Sequence, residues 1–485
     1  MAVKKSEVYV FSHLSRIDEH RDELRDGRRF VPSGILGLTE TDGANLQNRG
    51  LASEFAYGTG YLGRKESFEI DPVSLAFGDR QNIKGQVLFP VNGLGEFGGI
   101  RDAAPDAWGR RVIEARLKAP ANSLLEVQYL LHAGGDRVGA LDVRERQTSP
   151  DSVSASDMHS LPYVLQAAEA VENGAPVPAN LEAFLGAGPS AGGARPKASV
   201  RDDDGALWLA KFPAKGDRFD VARVETCTLE LARRCGLNVP EVRYLDLGRR
   251  PVMLIRRFDR YWAHAGQPLP EGALHDTGPA DDRVEGRLPF VSGLTLVACG
   301  ELESPDKTYA DLGRAIRRYV HPTCVRANGE EMFARMVFNI FVTNDDDHLR
   351  NHGFVRDPRL GGWVLSPLYD VVPRPMVASE RRLHLGVGEM GKLATLDNAL
   401  THYAALVSER PRAVSIMRRV WGEVRQWKNC FEEHGAEGKL IDQITLAFRD
   451  ISEIASRELA TEIRKQEPSR SPAEAFRRTG TREPR

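Results

Sequence analysis

The chain has 485 residues, 41% of them hydrophobic and 28% charged, and its 66 basic side chains nearly cancel its 68 acidic ones. That length exceeds what one core organises, so two to four domains are expected, and the composition excludes a disordered or fibrous chain. The charge balance gives no bulk field that would by itself draw the protein to nucleic acid.

Five cysteines, Cys227, Cys235, Cys299, Cys324 and Cys430, form no CxxC pair and lack the His spacing of a zinc site. They read as reduced cytosolic thiols. No apolar run approaches the ~20 residues that span a bilayer, and the start "MAVKKSEVYVFSHLSR" lacks the apolar stretch of a secretory signal. A cytoplasmic protein with no membrane partner is expected.

Residues 1–100 alternate short β-type runs, "EVYVFSHL", "SFEIDPV" and "QVLFPV", with glycine-rich turns, as a small sheet domain would. From "GIRDAAPDAWGRRVIEARL" to about Leu131 the pattern turns helical, with Ala107, Val112, Ile113 and Leu117 on one face. A β-rich domain ending in helices is therefore expected over 1–146, followed by a polar linker with a short helix over 147–187. A second core over 188–260 opens with strand-like "ALWLAKF", a helix "VARVETCTLELARRCGL" and strand-like "PVMLIRRF".

Beyond it, a mainly helical lobe is expected over 261–465. Residues 262–289 carry Pro, Gly and Asp without periodicity and read as an exposed insertion. One strand-and-turn interruption falls between Phe354 and Pro375, and the Arg-, Glu- and Pro-bearing tail 466–485 reads as disordered.

"TNDDDHLRNHGF" (343–354) follows an apolar helical face made by Met332, Phe333, Met336, Val337, Ile340 and Phe341. Three adjacent carboxylates repel one another, and a helix C-terminus is itself electronegative, so a positive charge is needed close by. An EF-hand loop is excluded, because the sixth position holds Arg350 or His352 instead of Gly. Magnesium with a nucleotide fits better, since Mg²⁺ takes one or two protein oxygens and completes its shell from water and phosphates. Protein kinases carry a catalytic Asp, a metal-binding Asn five places on, and a second metal-binding Asp downstream. Asp346 and Asn351 have that spacing, and "VLSPLYDVVPRP" supplies Asp370. Asp346 would orient the attacking hydroxyl while Asn351 and Asp370 anchor the metal; His348 would brace the turn, and Asp345 and Asp347 would flank it. The plainer alternative is a solvated acidic loop.

"GPSAGGARPKASV" (188–200) is rich in small residues whose backbone N–H groups could approach phosphates, but it lacks the GK[ST] ending of a Walker A loop, and a linker is the simpler reading. Lys211 interrupts the apolar strand in "WLAKFP"; such a lysine either reaches an anion, with Glu225 as ion-pair mate, or snorkels to water. In "RRFDR" (256–260), Phe258 could flank an adenine, against the alternative of a salt-bridged strand end.

In their order, "SAGGARPK", "LAKFP", "VPEVRYL" to "LIRRFDR", "NDDDHLRNHGF" and "SPLYDVVP" resemble the HipA family of bacterial serine/threonine kinases over residues 185–375. "GLGEFGGIRDAAPDAWGRRV" is similar to the segment that closes that family's N-terminal domain. The resemblance implies an α+β, two-lobed protein-kinase-like fold with a β-rich N-terminal subdomain, ATP and Mg²⁺ as cofactors, and a protein substrate. It also implies the role of toxin in a toxin–antitoxin system, partnered by a small helix-turn-helix, HipB-like antitoxin and, through it, operator DNA. By the same resemblance Asp346 is the catalytic aspartate, Asn351 and Asp370 hold metal, Lys211 reaches the phosphates, and Gly192, Gly193, Ala194 and Lys197 cover them. Ser190 falls where family members carry an inhibitory autophosphorylation. Arg256 departs from the pattern, standing where an acidic residue is expected near the adenine, and so does "RLPFVSGLTLV" after the insertion. A small-molecule phosphotransferase, or a silent kinase-fold scaffold acting as corepressor, are the alternative functions.

Overall fold

The computed structural model describes residues 3–14, 30–41, 50–152, 156–178, 181, 195–248, 250–264 and 283–465. Ser190, Gly192, Gly193 and Ala194, the centre of the 262–289 stretch and the tail 466–485 lie outside the described residues.

Strands β1 (Val3–His13), β2 (Phe30–Thr41), β3 (Leu51–Tyr57) and β4 (Leu141–Arg144) form an antiparallel sheet in the order β3-β2-β1-β4. Val8, Val10, Leu36, Leu38, Phe55 and Tyr57 build its core against Phe97, Ile100 and Leu130. Two of the three expected strands differ. Residues 67–73 fold instead around the buried Asp71, whose carboxylate accepts from the backbone N–H groups of Val73 (2.9 Å), Ser74 (2.6 Å) and Gly99 (3.1 Å). A carboxylate that captures local N–H groups competes with a strand ladder. Residues 86–91 contribute a single bridge, Leu88 to Phe55.

Three helices follow: α1 (Gly98–Ala103), α2 (Ala107–Arg116, capped by Asp106) and α3 (Glu126–His132). The buried face of α2 is Trp108, Val112 and Ile113, while Ala107 and Leu117 are exposed. The first helix presses onto the later lobe, since a Cβ at Gly98 would stand 2.5 Å from Thr295.

A second sheet has the order β5-β6-β7-β9-β8: β5 (Ser156–Asp157), β6 (Lys197–Arg201), β7 (Leu207–Lys211), β8 (Val242–Asp246) and β9 (Pro251–Arg256). Its strands alternate between two cores. Trp208, Ala210, Val252 and Leu254 face α4 (Leu161–Glu172) and Trp108, whereas Leu209, Met253 and Ile255 face α5 (Val221–Arg234) and the large lobe. The expected linker thus carries a twelve-residue helix that covers one face of this sheet.

The flanks of the expected insertion pair as a hairpin, β10 (Arg260–His264) with β11 (Arg283–Arg287). A small sheet of β12 (Phe290–Ser292), β13 (Gly353–Asp357) and β14 (Gly362–Leu365) then meets helices α6 (Tyr309–Tyr319), α7 (Val325–Val342) and α8 (Arg410–Val424). The middle of α7 is buried all round, and the largest core cluster forms about it. The whole is an α+β fold, β-rich at its start and mainly helical after residue 290. All five cysteines are free, and no helix among the described residues is long and apolar enough to cross a membrane.

Candidate active site

Lys211 ends β7 on the face that looks at α5, so its stem lies in the core and its ammonium meets side chains from two other elements. Nζ donates to Oε1 of Glu225 on α5 at 2.5 Å and to Oδ1 of Asp370 at 2.9 Å. Burial opposes the lysine's charge, but Asp370 and Glu225 more than offset it and raise its pKa. Asp370 is pushed up by burial yet brought down to about 2 by Lys211 and Lys197. For Glu225 burial wins over Lys211, and its pKa rises. Two buried charges and a partly open one, with one net negative, therefore sit together, and the carboxylate of Asp370 keeps about a third of its surface, 34%, open.

Asp370 also holds a left-handed backbone, φ +60°, which a residue with a Cβ adopts only when its surroundings impose it. Two bonds impose it from the N-terminal side: Leu368 N–H donates to Asn238 (2.7 Å), and the Tyr369 hydroxyl donates to the carbonyl of Arg350 (2.8 Å). On the other side Arg374 N–H donates to Thr343 (3.0 Å). The Asp370 segment is thus tied at both ends to the acidic turn.

That turn begins where Thr343, left-handed at φ +53°, terminates α7. The three aspartates then diverge. Asp347 is buried, accepts from the Tyr309 hydroxyl and lies 3.1 Å from His352 Nε2; burial raises its pKa, but His352 and Tyr309 bring it below the ordinary value. Asp346 is exposed, and its Oδ2 accepts from Arg374 Nη2 at 2.9 Å. Asp345 lies between them, 3.1 Å from Arg374 Nε. The positive charge that the turn requires comes from Arg374. His352 with Tyr309 supplies the brace expected of His348, whose ring stands edge-on to His384 at 5.7 Å. Asn351 Nδ2 donates to the backbone carbonyl of Asp346 at 3.0 Å.

Beside Lys211 and Asp370 opens a cleft with apolar walls from Leu209, Ile255, Phe258, Phe290 and Tyr369. Phe258 stacks on Tyr369 at 5.5 Å. Its neighbours do something else. Arg257 and Arg260 close on the buried Asp259 and on the carbonyls of Arg137 and Gly139, so most of "RRFDR" is a brace to the N-terminal domain. Arg256 lines the cleft with an ion pair to Glu241 at 3.7 Å.

Lys197, expected in a phosphate loop, is the buried first residue of β6; its Nζ donates to Asp106 Oδ2 at 2.8 Å, and Trp108 Nε1 donates to its carbonyl. Its charge still acts on Asp370. Asp102 of α1, which no sequence pattern singled out, reaches the cleft and accepts from Ser292 and Thr295. Tyr369 and Arg374 were equally unmarked, although both sit within four residues of Asp370.

The donor set suits a hard cation with a phosphate ligand. Asp370 offers carboxylate oxygen toward the cleft, and the bond from Asn351 Nδ2 leaves its Oδ1 as the oxygen a cation would take. Among the described residues no three His, Cys, Asp or Glu side chains stand together as a preassembled metal site. Magnesium does not need one, because phosphates and water complete its shell. A cleft with apolar walls and a lysine at one end has the chemistry to take a base and its phosphates.

A family model described as the HipA-like C-terminal domain matches residues 189–428. A curated relative from Sinorhizobium fredii, described as "Putative kinase Y4dM", is 28% identical over 241 residues; the match covers 45% of this chain and only 52%, about half, of the relative. A solved structure from Shewanella oneidensis MR-1, titled as a toxin–antitoxin system of HipA, HipB and operator DNA, has a similar fold. Its TM-score is 0.52 at 14% identity, over 89% of this chain and 92% of that one.

Proposed function

We propose, from the match of residues 189–428 to the HipA-like C-terminal domain, that the protein is an ATP- and Mg²⁺-dependent serine/threonine protein kinase acting as the toxin of a toxin–antitoxin pair. The observation that carries this reading is the double bond of Lys211, to Glu225 and to Asp370, at the polar end of an apolar cleft. A lysine held by one buried acid and facing a second, more open one can exchange that second contact for phosphate oxygens.

The residues divide the work as follows. Phe258 and Tyr369 flank the base, and Lys211 binds phosphate. Asp370 and Asn351 would hold Mg²⁺, which when bound neutralises charge on the phosphates. Asp346 orients the acceptor hydroxyl and takes its proton as the hydroxyl oxygen bonds to the γ-phosphorus and ADP departs. Because phosphoryl transfer needs positioning and charge neutralisation more than covalent help, this set is sufficient.

The acceptor is proposed to be a cytoplasmic protein, the translation machinery being one candidate class, with Ser190 as a site of autophosphorylation. The antitoxin and operator DNA named with the Shewanella protein support a HipB-like, helix-turn-helix partner here and, through it, DNA. The test is transfer of label from γ-labelled ATP onto protein. Asp346→Asn should lower transfer by about 10³-fold with folding intact, since the neutral amide cannot take the proton. Label appearing only on small hydroxylated metabolites, or toxicity undiminished by Asp346→Asn, would replace this reading by one of its alternatives.

A further inference from the structure

Arg374 carries no role in the sequence motifs that pointed to the site, although it lies within "VLSPLYDVVPRP", and it touches two of the three aspartates. It stands between Pro373 and Pro375 in "VVPRPM", so proline rings restrict the backbone on both sides. Its N–H donates to the carbonyl of Thr343, at the residue that ends α7. A stiff and anchored backbone therefore presents the guanidinium, although the side chain is about half exposed. The two donors are used differently: Nη2 bonds Oδ2 of Asp346 at 2.9 Å, and Nε sits 3.1 Å from Oδ1 of Asp345. Among the described residues nothing bonds Oδ1 of Asp346.

A carboxylate that acts as proton acceptor must offer one oxygen in a fixed direction, and an aspartate in water turns freely about two side-chain bonds. Resting on the kinase reading, we propose that Arg374 is a positioning residue for Asp346: it holds Oδ2 and so reserves Oδ1 for the acceptor hydroxyl. Asp345 acts through Arg374, as the second carboxylate that keeps the guanidinium in place. Arg374 also links the chain segment that carries Asp370 to the turn that carries Asp346, so the two ends of the reaction are held in one register. The contact orients without closing the site, because the guanidinium occupies one oxygen and leaves the other.

The test compares the full-length protein with Arg374→Ala, Arg374→Lys and Asp345→Asn, using casein and the chain itself as acceptors of label from γ-labelled ATP. Calorimetry with Mg²⁺ and a non-hydrolysable ATP analogue reports binding separately. Arg374→Ala should lower kcat by about 10- to 100-fold while the analogue's Kd stays within about twofold, and Arg374→Lys should recover part of the rate. Asp345→Asn should reduce kcat in the wild-type background and do nothing further in Arg374→Ala, the coupling expected of groups that act in series. An unchanged kcat in Arg374→Ala, a faster one, or a loss confined to analogue binding would each overturn the proposal while leaving the kinase reading standing. No label transfer by the wild-type protein would end both.

Discussion

Asp259 and Asp370 are both carboxylates among cations, and both titrate below the ordinary range, yet they do different work. Asp259 has no exposed surface and accepts from Arg257 (2.6 and 2.8 Å), from Arg260 (2.7 Å) and from the N–H of Gly139 (2.7 Å). Asp370 has one lysine, a third of its surface open, and a strained backbone. Charge and burial alone do not separate a brace from a site; saturation does. A carboxylate whose lone pairs are all taken can only hold parts together, whereas one with oxygen left toward a cleft can receive a ligand.

Substitutions can break that comparison, and the largest effect belongs to the brace. Asp259→Ala removes the carboxylate paired with the buried Arg257 and leaves Arg260 only Glu285, and should cost about 3–5 kcal/mol of stability, read by urea denaturation. If it instead abolished phosphoryl transfer at full stability, the division between the two regions would fail. Lys211→Met is read by kinetics: transfer should fall by about 10²-fold or more, with a stability loss smaller than that of Asp259→Ala, because the carboxylate left behind on Asp370 keeps a third of its surface open and the buried Glu225 can take up a proton. Unaltered kinetics in Lys211→Met would contradict the role given to the lysine.

The smallest expected effect is on acid stability. Asp370 has a lower pKa folded, about 2, than an aspartate in the unfolded chain, about 4, so its stabilising contribution is complete above that upper value and is lost as pH falls toward the lower one. Asp370→Asn removes that contribution, so its stability should decline less steeply than that of the wild type between pH 4 and pH 2. Parallel curves would mean that the Lys211 contact does not persist in solution.

How much of this was legible in the sequence depended on whether the signal was local. Helix α7 could be read because Met332, Phe333, Met336, Val337, Ile340 and Phe341 repeat at helical spacing, and Asp346 with Asn351 because they stand five places apart in one turn. Strand β2 could not: Pro32, Gly34 and Gly37 read as turn formers, yet Gly34 is required by packing, since a Cβ there would meet the ring of Phe55 at 2.3 Å. Arg374 with Asp346, Lys197 with Asp106, and Tyr309 with Asp347 are 28, 91 and 38 residues apart, and no spacing rule announces such pairs. Local sequence offers His348, the histidine next to the aspartates, as the brace, while only the chain reversal brings His352 to 3.1 Å from Asp347.

The most direct measurement is calorimetric titration of the full-length protein with Mg²⁺-ATP, beside Asp370→Asn and Lys211→Met. A saturable heat in the wild type that weakens at least tenfold in both variants is the predicted result. Equal heats in all three, or none in the wild type, would contradict the assignment of these residues to a metal–nucleotide site.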